Sequence, residues 1–311
     1  MSVRRTAAID CGTNSIRLLV ADVDPVAGTA LDVRREMVIV RLGEGVDATG
    51  AFSAAALERT FAACRTYAAV LADAGDPPLR FVATSASRDV ANRAAFVAGV
   101  HGILGVEPEV ISGAQEGELS FAGAVRGLPA DARRPCLVVD IGGGSTEFVL
   151  GADRPSHRFS VDLGCVRMTE RHLAGDPPTA GQVAAATADI DAAIGRAGAV
   201  VPLREPGTLV GLAGTVTTVA ALALGLDRYD AGVIHHSRVA AADVHRISGA
   251  LLAMTTAQRA ALPVMVPGRE DVIAAGALVL ARIVAATGAP EVLASEHDIL
   301  DGVVWALADA P

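Results

Sequence analysis

Two twelve-residue segments constrain this chain more than anything else in it: IDCGTNSIRLLV at 9–20 and VDIGGGSTEFVL at 139–150. Each is an apolar run that reaches an Asp, turns through a short Gly-rich polar stretch and returns as a second apolar run. Asp10 aligns with Asp140, Gly12 with Gly142 and Ser15 with Ser145, at a constant offset of 130 residues. The pattern predicts a strand–turn–strand hairpin at the head of each half. The period is the size of a domain rather than of a solenoid repeat, so the expected architecture is two similarly folded lobes with a cleft between them.

Elsewhere, Val- and Ile-rich runs alternate with Ala-rich helical patterns, which predicts an α/β protein. Strands are expected at 7–9, 16–23, 79–84, 108–111, 136–141, 146–150, 158–162, 209–213 and 291–294. Helices are expected at 54–72, 88–99, 114–125, 179–198, 215–224, 241–254, 269–286 and 299–308. Ser53 is the expected N-cap of the first helix, with Leu57, Phe61, Cys64, Ala68 and Leu71 on its buried face. RGLPADARRP at 126–135 reads as a linker. It divides the chain into lobes 1–126 and 127–311, and the last helix is a candidate to return to the first lobe.

A Gly-rich turn between strands leaves backbone N–H groups unpaired, and such a nest attracts an anion. Gly12, Gly142, Gly143 and Gly144 let a ligand approach the backbone closely. Thr13, Asn14, Ser15, Ser145 and Thr146 add polar side chains. An Asp beside a phosphate repels it, so Asp10 and Asp140 suit a hydrated divalent cation or an oriented water; each equally suits capping its own turn. At the next matched position Arg17 stands opposite Glu147, the one suited to a phosphate, the other to a metal or water. A cross-strand ion pair is the alternative for both.

The chain carries a formal charge of −9 and no basic stripe, which argues against nucleic-acid binding. All 26 basic residues are Arg. Four cysteines without metal spacing fit a reducing compartment. The start is too briefly apolar for a signal peptide, and the apolar stretch at 271–288 holds Asp271 and Arg282, so no membrane span is expected. A cytoplasmic protein is the expectation, and the apolar second lobe is compatible with a homodimer.

The paired hairpins, GLAGT at 211–215 and AAGALVL at 274–280 resemble the sugar-kinase/Hsp70/actin superfold, whose lobes are ribonuclease-H-like (actin-like ATPase) domains with mixed sheets. Together with ATSASRD at 83–89 and EVISGAQEGELSF at 109–121, they resemble more narrowly the short, two-domain form of the exopolyphosphatase/guanosine-pentaphosphate phosphatase (Ppx/GppA) family. That resemblance implies hydrolysis of the terminal phosphoanhydride of inorganic polyphosphate, releasing orthophosphate with Mg²⁺ or another divalent cation. Short chains are the expected preference, because two lobes offer a short groove. Hydrolysis of pppGpp, which would link the protein to the stringent response, is the alternative; an ATPase or kinase of the same superfold is the second.

By resemblance Glu116 occupies the place of the catalytic base, with Asp140 and Glu147 as further catalytic candidates. The residues themselves place Glu116 in the first turn of a helix, where the dipole favours its ionised form, but the same position suits a capping box. Glu118 is expected to be solvated. Arg88 corresponds to a phosphate-contacting arginine; a solvated arginine is its plain alternative. Gly214 and Thr215 precede a helix whose N–H groups suit a further phosphate. His235 and His236 are adjacent in a strand-like stretch and so should point opposite ways, which favours a local hydrogen bond or a surface role. SEHDILDGVVW departs from the family's S-x-G-x-x-R-E-G, with Leu300 in place of the Arg.

Overall fold

The computed structural model describes residues 3–310. The chain divides into two compact units, Met1–Gly123 with Ile299–Pro311, and Ala124–Asp298.

The first unit contains β1 (Arg4–Cys11), β2 (Ser15–Asp24), β3 (Thr29–Ile39), α1 (Val46–Thr49), α2 (Ala54–Asp73), β4 (Leu79–Ala83), α3 (Arg93–Leu104), β5 (Glu109–Val110) and α4 (Gly113–Val125). Its sheet runs β3-β2-β1-β4-β5, with β1, β2 and β3 antiparallel and β4 and β5 parallel to β1. The second unit contains β6 (Cys136–Ile141), β7 (Thr146–Gly151), β8 (Pro155–Val161), α5 (Cys165–His172), α6 (Ala180–Gly198), β9 (Thr208–Leu212), α7 (Ala213–Ala223), α8 (Ala231–Ile234), β10 (Arg238–Ala240), α9 (Ala241–Ala253), α10 (Thr256–Ala260), α11 (Ile273–Thr287) and β11 (Glu291–Ala294). Its sheet runs β10-β11-β9-β6-β7-β8. The final helix, α12 (Ile299–Asp309), belongs to the first unit.

Strands β8-β7-β6-β9-β11 take the places and directions of β3-β2-β1-β4-β5, with β10 added antiparallel at one edge. The repeat seen in the two hairpins therefore extends to whole sheets. Both central strands are buried on both faces, which explains their unbroken apolar runs. In β1, Ala7, Ile9 and Cys11 pack with residues of α2 and α3, while Ala8 packs with Ile299, Val303 and Val304 of α12.

Ser53 caps α2 as expected, its hydroxyl accepting from the Ala56 N–H at 3.1 Å. Cys64 and Leu71 are buried as expected, but the stripe they belong to runs Ala56, Thr60, Ala63, Cys64, Tyr67 and Leu71, with Leu57, Phe61 and Ala68 flanking it. Thr60 and Tyr67 disguise that stripe as polar. Their hydroxyls are satisfied inside, by the carbonyls of Ala56 and Ile16.

Strand β3 was not expected: all of its residues are exposed or half-buried, and Arg35 interrupts the apolar alternation of Leu31, Val33, Met37 and Ile39. The helix expected at 88–99 begins only at Arg93. The Asn92 side chain exchanges two hydrogen bonds with the Phe52 backbone, and the Ala91 N–H donates to Gly50, which holds 88–92 off the helical path.

Candidate active site

The two hairpin turns have the same internal geometry. Gly12 N–H donates to the Ser15 carbonyl at 3.0 Å, and Gly142 N–H to the Ser145 carbonyl at 3.0 Å. The N–H groups of Thr13, Asn14, Gly143 and Gly144 have no acceptor among the described residues. Two pairs of adjacent amide donors, one pair per turn, are thereby left unpaired.

The hydroxyls behave differently from expectation. Thr13 Oγ1 is 2.9 Å from Ser85 Oγ, Thr146 donates to the Leu163 carbonyl at 2.5 Å, and Ser145 donates to Glu147 at 2.8 Å. Ser145 and Thr146 are fully buried. Strand pairing turns these side chains into the protein, so what each turn leaves unpaired is backbone N–H rather than hydroxyl.

The broken symmetry at the next position is chemically decisive. Asp10 pairs across the strands with Arg17, and Asp140 with Glu147. Arg17 Nη2 lies 2.6 Å from Asp10 Oδ2, so the cross-strand ion pair considered from sequence is present in the first unit. In the second unit two buried carboxylates face each other at that register. Ser145 and Ser160 both donate to Glu147 Oε1, at 2.8 and 2.7 Å, which fixes that carboxylate.

Glu116 lies in the first turn of α4 and is only 8 % exposed, whereas Glu118 is exposed, as expected. It is not the capping residue. The capping box is Ser112 with Gln115: Gln115 N–H donates to Ser112 Oγ, and Ser112 N–H to Gln115 Oε1. Glu116 instead accepts a hydrogen bond from Arg88 Nη2, while Arg88 Nε donates to the Ile111 carbonyl at 3.0 Å. Arg88 is thus not solvated; it grips the carboxylate and fixes its position.

At the start of α7, Ala213 has φ +65°, and Gly214 follows. A Cβ on Gly214 would fall 2.4 Å from Arg269 Cζ, so the guanidinium of Arg269 lies against the first turn of this helix. A Cβ on Gly276 would fall 2.3 Å from Thr215 Oγ1 and 3.2 Å from Cys165 Cβ, so these two side chains meet over that glycine, and burial raises the Cys165 thiol to about 11. His235 and His236 do not point opposite ways. A φ of +63° at His236 breaks the strand alternation, and the rings stack with centroids 3.7 Å apart. His297 lies 4.3 Å from His235, whose Nδ1 accepts from the Glu296 N–H.

Arg269, Ser85, Ser160, Arg167 and His297 were missed in the sequence. Each meets its partner through tertiary packing; Ser85 and His297 lie inside quoted segments, but their contacts with Thr13 and His235 join residues more than sixty apart. Among the described residues no group of three or more His, Cys, Asp or Glu could hold a metal, and no helix is long and apolar enough to cross a membrane.

Residues 19–309 match the model of the Ppx/GppA phosphatase family. The chain is 49 % identical over 319 aligned residues to Exopolyphosphatase 2 of Mycobacterium tuberculosis, covering 99 % of this chain and all of that one. It is similar to a crystal structure of an exopolyphosphatase-like protein, with a TM-score of 0.95 and 43 % identity over 99 % of this chain and 98 % of that one. A crystal structure of the Aquifex aeolicus Ppx/GppA family member matches with a TM-score of 0.80 and 26 % identity, covering 98 % of each chain.

Proposed function

The chain belongs to the Ppx/GppA phosphatase family, and we propose that within it the protein is an exopolyphosphatase that removes the terminal orthophosphate from short inorganic polyphosphate. The full-length likeness to a protein named for that activity supports the substrate class. The observation that carries the reading is the buried Glu116, relieved of capping by Gln115 and gripped by Arg88, in a chain that also has two amide nests.

In this reading the N–H groups of Thr13, Asn14, Gly143 and Gly144 bind phosphate oxygens, and so do the N–H groups at the first turn of α7, beside Gly214, Thr215 and Arg269. These donors are fixed before substrate arrives and hold the chain in place. Glu116 takes a proton from the attacking water as its oxygen bonds to the terminal phosphorus. The phosphoanhydride bond breaks, and the shortened chain departs with the bridging oxygen. Arg88, through its Nη2, holds the Glu116 carboxylate in place for that step.

The donor set suits Mg²⁺ or a similar divalent cation in the second unit only. Mg²⁺ is commonly held by one or two carboxylates, water and substrate phosphate, which matches opposed Asp140 and Glu147. Bound there, it would neutralise phosphate charge. Asp10 fits that role poorly, since Arg17 already neutralises it. All four cysteines are buried free thiols, which supports a reducing, cytoplasmic location.

A phosphate-release panel tests the proposal: tripolyphosphate, long-chain polyphosphate, pppGpp, ATP, and ATP with sugars, each with and without Mg²⁺. Tripolyphosphate should be turned over fastest, and only with the metal. Release confined to pppGpp would reassign the substrate, and phosphate transfer to a sugar would reassign the class.

A further inference from the structure

A trans peptide holds each N–H opposite the preceding carbonyl. Whatever anchors the carbonyls of a turn therefore aims its N–H groups. In the second unit every carbonyl of the glycine triplet is anchored. Gly142 O accepts from the Cys165 N–H at 3.0 Å, and Gly143 O from the N–H groups of Val166 and Arg167 at 2.9 and 3.1 Å. Gly144 O accepts from the side chain of Arg167, through Nε at 2.8 Å. The start of α5 thus spends its orphan N–H groups on the turn. The fit is tight: a Cβ on Gly164 would fall 2.3 Å from Gly143 O.

The first unit reaches the same result with unrelated parts. Gly43 N–H donates to Thr13 O at 2.8 Å, and the N–H groups of Val40 and Arg41 donate to Asn14 O at 3.0 and 2.8 Å. Arg41 adopts φ +49° in doing so. A Cβ on Gly43 would fall 2.3 Å from Thr13 Cγ2, so this loop is pressed against the turn. The loop is in turn held from α2, where Arg59 Nε donates to Val40 O at 2.8 Å and its Nη2 to Arg41 O at 3.4 Å.

We propose that Arg167 and Arg59 are positioning residues that grip carbonyls rather than phosphate: Arg167 holds Gly144 O and so sets the peptide that carries the Ser145 N–H, a third amide of the second turn with no acceptor among the described residues, and Arg59 holds the 40–43 loop, whose Gly43 N–H grips Thr13 O and so sets the Asn14 N–H. The inference rests on the exopolyphosphatase reading. Arg presents several fixed donors, and Nε alone suffices to anchor a carbonyl.

Arg167→Gln, Arg167→Lys and Arg59→Gln are compared with the unaltered protein in two measurements. The first is steady-state hydrolysis of tripolyphosphate. The Gln variants should raise KM about tenfold and Arg167→Lys about threefold, with kcat within about twofold, because binding is lost equally in ground and transition states. The second is hydrogen exchange of peptides spanning residues 12–15 and 142–145 without substrate. Exchange should quicken at 142–145 in Arg167→Gln and at 12–15 in Arg59→Gln.

A KM unchanged in both Gln variants overturns the proposal, and so does a fall in kcat at constant KM. A raised KM with unchanged exchange makes Arg167 a direct substrate ligand and also overturns it. Should Arg167→Gln fail to fold, Arg167→Lys, which keeps the charge and one donor, reads the same ratio and the same peptide. Absence of tripolyphosphate hydrolysis in the unaltered protein would instead defeat the exopolyphosphatase reading. The exchange result would still stand or fall on its own.

Discussion

The α-carbon of Gly302 lies against the carbonyl of Leu119, so close that a Cβ there would fall 2.0 Å from the oxygen. The contact seats α12 on α4, one turn beyond Glu116. Backbone cannot yield as a flexible side chain does. Gly302→Ala should therefore push the two helices apart and destabilise the first unit by about 1–3 kcal/mol. Urea denaturation should show the loss, and kcat for tripolyphosphate should fall with it because Glu116 moves with its helix.

Glu116 is the expected proton acceptor. Glu116→Gln keeps the volume and a hydrogen-bonding terminus but removes the basic carboxylate. Hydrolysis should drop by about 10²-fold or more, while tripolyphosphate affinity measured by calorimetry stays within about threefold. Hydrolysis retained at near the original rate would move the base elsewhere, with Glu147 next in line.

The two aspartates should separate cleanly. Asp140→Asn should raise the Mg²⁺ concentration for half-maximal activity about tenfold or more, because it removes one of two opposed carboxylates. Asp10→Asn should leave that concentration nearly unchanged and instead lower stability, because it leaves the part-buried Arg17 without its counter-charge. Metal titration of both variants, with thermal melts alongside, checks this.

His236 gives a pH prediction. Burial, then the neighbouring His297, lowers its pKa in the folded state. The folded protein therefore binds fewer protons than the unfolded chain. Stability on this account is full above the unfolded value of about 6.5 and declines as the pH falls below it toward the lowered folded value. His236→Asn, which tolerates the positive φ, should flatten that decline. Melting temperatures from pH 7.5 to 5.0 for both proteins would show it.

Much of this molecule was readable from local pattern. The twin hairpins, their glycine turns, the Ser53 cap and the first-turn position of Glu116 all follow from interactions spanning a few residues. Periodicity and turn chemistry report such interactions directly. Strand β3 was hidden because an exposed edge strand buries too little to need an unbroken apolar pattern. The start of α3 was misplaced because Asn92 answers to Phe52, forty residues away.

The chemistry of each carboxylate was a tertiary decision. Sequence alone set Asp10 and Asp140 at equivalent places in two like strands. Their cross-strand neighbours Arg17 and Glu147 were readable too; folding decided that an ion pair forms at the first and that two buried acids oppose each other at the second. It also brought Arg88 onto Glu116 over 28 residues and Arg167 onto the Gly144 carbonyl. A side chain's type and backbone register are set by its neighbours along the chain. Its charge state, its partners and the direction of the donors around it are set by whatever packs against it, and sequence spacing carries no record of that.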